Sequence, residues 1–304
     1  MKNHLNYLLL LTGIFLFVNN EAGAQKNITA VLPADGAGNV NVGIIKWSGT
    51  EGDTLDLHFG LTPEPPLYKA NLVSTEEKPV ILELNKKYYW KIVVKKTGKK
   101  PVESKVFTFT TLPITLNAAV KYSPLIDLRD YKIYWTLENG LQWMAQNLDF
   151  DLPGNSWYYD NSESHKVYGK LYLGKALSTD MDKICPEGWH IPTMDEWNSL
   201  LNANGGIKEA GQAMKESTEK YWRTSNYPRN NNSGMTILPA GSRDSKPSFA
   251  NQGKYTYCWT STPSPKIPGS FYNQNLGFMR NTIINEPGDP AWGYSIRCVK
   301  EIRK

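Results

Sequence analysis

The chain has 304 residues, of which 40% are hydrophobic and 21% charged, and its mean hydropathy is −0.47. That is enough apolar side chain for packed cores over roughly two domains and too little for a multi-span membrane protein, while 12% aromatic content excludes wholesale disorder. The net charge of +5 is small and is shared by both halves, so neither is a basic nucleic-acid module on charge alone.

Residues 1–24 read as a signal peptide. Lys2 gives a positive start, Leu8 to Val18 form an apolar run, and Ala22-Gly23-Ala24 is a small-residue cleavage site before Gln25. The run is short for a membrane span, and no later stretch reaches the roughly 20 apolar residues that a spanning helix needs. No Cys follows it to carry a lipid, so membrane association is not evident beyond the signal. The expected location is secreted or cell envelope, periplasmic or extracellular, where disulfides persist.

Residues 25–113 predict short strands. Leu55, Leu57 and Phe59 alternate with polar residues, and Trp90, Ile92 and Val94 repeat that period. The charged turn Lys95-Lys96-Thr97-Gly98-Lys99-Lys100 leads toward Val106-Phe107-Thr108-Phe109, and Pro33-Ala34-Asp35-Gly36 and Pro63-Glu64-Pro65-Pro66 are further breaks. The lysines read as a solvated loop that discourages edge pairing, and His58 as a surface histidine. Trp47, Leu84 with Tyr88, and the closing Phe107-Thr108-Phe109-Thr110-Thr111 resemble a fibronectin type III or immunoglobulin-like domain. The resemblance implies an all-β sandwich with a tyrosine corner, in which the Tyr88 hydroxyl bonds upstream backbone. Asp53-Thr54-Leu55 is similar to a short bacterial O-glycosylation acceptor.

Leu112-Pro113-Ile114 is the expected linker, and residues 114–304 differ in composition. All three cysteines and eight of the ten tryptophans fall here, which predicts a second, aromatic-rich core. Thr193 and Glu196 form a capping box, followed by Trp197, Leu200 and Leu201 on one helical face, and Gly205-Gly206 stops the helix. A second short helix is expected over Ile207 to Lys215, and short strands with polar loops after Trp222.

The ordered motifs of this half are Trp143-Met144-Ala145-Gln146-Asn147-Leu148, Tyr168-Gly169-Lys170-Leu171-Tyr172, Cys185 to Trp197, Asn232-Ser233-Gly234-Met235, Leu238-Pro239-Ala240-Gly241-Ser242-Arg243, Cys258-Trp259-Thr260-Ser261-Thr262 and Ser295-Ile296-Arg297-Cys298-Val299. Together they resemble the Fibrobacter succinogenes major paralogous (FISUMP) domain over roughly residues 125 to 301. The resemblance implies an α+β, C-type-lectin-like fold, frequent in secreted and surface proteins of Bacteroidetes, and implies no activity. The expected fold class is therefore multidomain, an immunoglobulin-like sandwich followed by a C-type-lectin-like domain. Three cysteines allow three single bridges. Cys185–Cys298 is chosen, tying the segment before the helix to the last strand, and Cys258 is expected to be a buried, inert thiol.

Ile191-Pro192-Thr193-Met194-Asp195-Glu196-Trp197 is also similar to a segment of formylglycine-generating oxidases. Those enzymes need two nearby copper-binding cysteines, whereas Cys258 and Cys298 sit in separate predicted strands, so an oxidase is the least favoured alternative. The calcium motifs of sugar-binding C-type lectins are missing. Glu286-Pro287-Gly288-Asp289-Pro290 lacks the amide ligand, and Asp149-x-Asp151-x-x-Gly154 with Asp160 reads as a plain acidic turn. His190 reads as structural, and no nucleophile–base pair, cofactor motif or metal motif stands out. The expectation is a non-catalytic binding or adhesion protein whose partner is a glycan or a cell-envelope protein. Trp157, Tyr158, Arg243 and Trp292, in polar loops, are the binding residues. The alternative is a structural envelope or extracellular-assembly role with no small-molecule ligand.

Overall fold

A computed structural model describes residues 28–50 and 54–302. The signal peptide, Gln25 and Asp53 of the glycosylation motif lie outside the described residues. The molecule is β-rich and multidomain, with few and short helices. Among the described residues no helix is long and apolar enough to cross a membrane.

In the first unit two sheets face each other across one core. One contains Thr29–Leu32, Ile45–Ser48 and Glu76–Glu77. The other runs in the order Ala37–Val40, Phe107–Thr111, Lys87–Lys95, Thr54–Gly60, Leu67–Leu72, with Val102–Glu103 added to Lys87–Lys95. The alternation read from sequence is what closes the core. Leu55, Leu57, Phe59, Trp90, Ile92 and Val94 are all buried, and Trp47 of the first sheet meets Trp90 of the second at 6.5 Å between ring centroids. The Glu83 amide donates to the Tyr88 hydroxyl at 2.9 Å, fixing the corner before this strand. Leu84, which precedes Tyr88 by four residues, packs in a separate cluster with Leu112, Ile114, Tyr221 and Leu238.

That cluster lies at the expected linker. Leu112 and Ile114 are 3% and 2% exposed, and the Tyr221 hydroxyl donates to the Pro113 carbonyl. The segment is a packed junction, because its apolar residues find apolar partners in the second unit. Backbone bonds extend the junction, from the Ile133 amide to the Asn41 carbonyl and from the Gly43 amide to the Tyr131 carbonyl, both 2.8 Å. Asn41 also donates its side-chain amide to the buried Asp149 carboxylate at 2.8 Å.

The second unit is built from three small sheets and short helices. A four-stranded sheet carries Ser123–Asp127, Lys132–Asn139, Leu141–Met144 and Val299–Lys300. A three-stranded sheet carries Tyr255–Pro263, Phe271–Gly277 and Ile284–Pro287. The helix Met194–Ala203 begins where the capping box places it. Thr193 Oγ1 accepts the Glu196 amide at 3.2 Å, and Glu196 Oε2 accepts the Thr193 amide at 2.7 Å. Its buried stripe packs Trp197 against Trp143 at 5.0 Å. The second helix is shorter than expected, Ala210–Met214, with Ala213 only half buried. Cys185 and Cys298 form the disulfide, their Cα atoms 5.9 Å apart.

Candidate functional site

The remaining sheet positions the candidate site. Its order is Ser156–Trp157, Leu171–Leu173, Gly293–Tyr294, Ser242–Arg243, Phe249–Ala250. Extended backbone continues through Tyr158, at φ −70° and ψ 153°, so successive side chains alternate in direction. Trp157 and Tyr159 therefore share one side, and Tyr158 takes the other.

On the Trp157 side the Arg243 guanidinium lies over the indole, 3.8 Å from the ring centroid. The two residues line a cleft of about 610 Å³ with Leu173, Lys175, Pro247 and Pro290. Arg243 Nε is buried without a hydrogen-bond partner among the described residues. The adjacent acid, Asp244, is turned into its own loop, where its carboxylate accepts the Ser248 hydroxyl at 2.6 Å and the Lys246 amide at 2.8 Å. Burial lowers the pKa of Arg243, and Asp244 opposes that only partly.

The four residues named from sequence do not form one surface. The Tyr158 ring lies beneath Lys170 Nζ at 4.5 Å, and Lys170 is paired with Asp151 at 2.6 Å. Burial and the nearby Asp149 raise the Tyr158 pKa well above the usual phenol range, as expected of a hydroxyl directed inward. Trp292 packs edge-on against Tyr294 at 6.2 Å and rests on the core. The structure thus unites Trp157 with Arg243, turns Tyr158 to the other side of the sheet, and sets the Trp292 ring against Tyr294.

Lys175 and the rings beside the cleft were missed from sequence. Phe249 lies across the strand pair from Arg243, and Phe249, Tyr159, His165 and Tyr168 follow one another at centroid distances of 5.3, 5.3 and 6.3 Å. All four are half-buried. Alternation from Trp157 to Tyr159 was a signal for this row; nothing local placed Phe249 or Lys175 next to it.

Other chemistry-bearing residues are occupied. His190 Nε2 pairs with Glu196 Oε1 at 2.7 Å, and the His190 backbone bridges to Val299. Cys258 is fully buried, and burial pushes its thiol up to about 11. In the acidic turn, Asp149 is held by Asn41 and Lys132, and Asp151 by Lys170. A larger cavity of about 810 Å³ lies by Arg129, Pro186 and His190, but Arg129 is already bound to Asp127 at 2.6 Å and to the Lys183 and Ile184 carbonyls.

The ordered motifs serve the core. Arg297, 1% exposed, donates to Asn147 Oδ1 at 2.8 Å, the Thr236 carbonyl at 3.2 Å and the Met235 carbonyl. Asn147 donates onward to the Tyr168 carbonyl and the Ser295 hydroxyl, and Trp259 Nε1 donates to the Tyr172 carbonyl. Residues far apart in sequence are thereby tied together inside the second unit. No curated protein matches the chain. The Fibrobacter succinogenes major domain model matches residues 133–300, more than half of the chain, and the protein belongs to that family.

Proposed function

We propose that this is an exported, non-catalytic binding protein that recognises glycan at the Trp157–Arg243 cleft. In this reading residues 25–113 are an immunoglobulin-like or fibronectin type III spacer, and residues 114–304 a C-type-lectin-like module that carries the site. The observation that carries the proposal is the cleft itself: a half-buried indole beside a guanidinium whose buried Nε has no hydrogen-bond partner among the described residues, open to a volume suited to a small ligand. Sugar rings present C–H faces that pack on an indole, while their hydroxyls take hydrogen bonds from polar neighbours. The row from Phe249 to Tyr168 offers further faces to a longer chain. The burial of Cys258 and the bridging of Cys298 favour binding over copper-dependent oxidation. Location in the cell envelope or outside the cell is part of the proposal, supported by the Cys185–Cys298 bridge.

The test is a glycan array with the secreted protein and its Trp157→Ala variant. Wild-type signal that falls at least tenfold in the variant supports the proposal, since aromatic anchors carry about 2 kcal/mol or more of binding. An array without signal, together with a stoichiometric protein partner that co-purifies equally with both forms, would favour the structural-assembly role instead.

A further inference from the structure

The charge balance of the cleft narrows its ligand. Two cations line it, Arg243 and Lys175, and no carboxylate does. The nearby acids are engaged elsewhere. Asp244 closes its own loop, Asp289 accepts the Ala291 amide at 2.8 Å, and Asp151 is paired with Lys170. Most buried cations meet an anion or a full set of acceptors, because an unpaired buried donor costs free energy. Arg243 has neither. Its guanidinium carbon lies 3.8 Å from the Trp157 ring centroid, and its Nε is buried and unpaired among the described residues. A neutral sugar that covered the cleft would displace water from the rest of the guanidinium and give the charge no counter-ion. A planar carboxylate matches a guanidinium in shape and charge.

We infer that the cleft takes an acidic sugar, a uronic-acid unit, with its carboxylate on Arg243, Lys175 as the second cation, and its ring against the apolar wall of Trp157, Leu173 and Pro290. This inference rests on the glycan reading above and adds the class of sugar.

The experiment is titration calorimetry on the full mature protein with four polymers: polygalacturonate, alginate, fully methyl-esterified polygalacturonate and polyglutamate. The ester keeps the ring and removes the charge; polyglutamate keeps the charge and removes the ring. At least one polyuronate is expected to bind roughly 10- to 100-fold more tightly than the ester and polyglutamate, the span of one charge-assisted bidentate contact. Arg243→Gln is expected to bring polygalacturonate down to the level of its ester with an unchanged melting temperature, and 0.5 M salt to weaken binding of the charged polymers while leaving that of the ester unchanged. The ester comparison needs no variant, so it decides the matter even if Arg243→Gln misfolds. Equal binding of polyuronate and ester would overturn the acidic-sugar inference and leave the glycan reading standing. Polyglutamate binding as tightly as the polyuronates would overturn the glycan reading in favour of a plain anion site. No binding to any of the four would overturn the inference.

Discussion

Arg297→Met is the sharpest test of how the second unit is held together. The guanidinium is 1% exposed and supplies donors to Asn147 Oδ1, the Met144 carbonyl at 3.4 Å, and the Met235 and Thr236 carbonyls. Methionine fills much of the volume and donates nothing. Each stranded buried acceptor costs about 1–3 kcal/mol, and the long Met144 contact sits at the low end. Against this, the variant is relieved of a desolvated cation. Burial brings the Arg297 pKa down to about 10 from 12.5, which corresponds to roughly 3 kcal/mol. The net loss is therefore about 1–7 kcal/mol, with about 4 as the central value, or on the order of 10 °C in melting temperature for a unit of this size. Urea unfolding followed by tryptophan fluorescence reads it directly, because most tryptophans lie in this unit. Arg297→Lys should recover only part of the loss, since one ammonium cannot span acceptors placed for a fork. A loss below about 1 kcal/mol for Arg297→Met would refute the claim that this residue is the buried tie.

Three further outcomes follow from the packing. Cys185→Ser with Cys298→Ser should cost up to about 4.8 kcal/mol by chain entropy, because the bridge spans 113 residues; calorimetry with and without reductant measures it. The Cys258 thiol should not react with a thiol reagent at pH 8 until denaturant is added. Its pKa is raised from 9.0 to about 11, so its contribution is intact below pH 9 and is lost as pH rises from 9 toward 11; Cys258→Ala should flatten the unfolding midpoint over that window. Gly288→Ala places a methyl 2.2 Å from the Trp259 ring and should cost at least about 1–3 kcal/mol, read as a drop in unfolding midpoint.

What could be read from the sequence was what short-range physics determines. Thr193 and Glu196 announce a helix start because both capping bonds lie within one turn. The alternation at Leu55–Phe59 and Trp90–Val94 marks buried strand faces because a strand has period two. The same rule, carried past Trp157, separates Tyr158 from Trp157. The composition of the loop instead suggested that adjacent aromatics act together. Trp292 illustrates a related point: its polar neighbours indicate a loop, and its ring packs edge-on against Tyr294 of the following strand. Arg243 beside Trp157, Lys175 in the cleft, and the packing of Leu112 and Ile114 on Tyr221 depend on pairings between distant segments. No local pattern encodes those.

The most direct test of binding at the Trp157–Arg243 cleft is a crystal structure of the mature protein soaked with a mixture of neutral and uronic-acid oligosaccharides. The account predicts sugar density against the Trp157 indole with a carboxylate at Arg243. Ordered sugar on Tyr158, on Trp292 or in the cavity beside Arg129 and Pro186, with the Trp157 cleft empty, would contradict it.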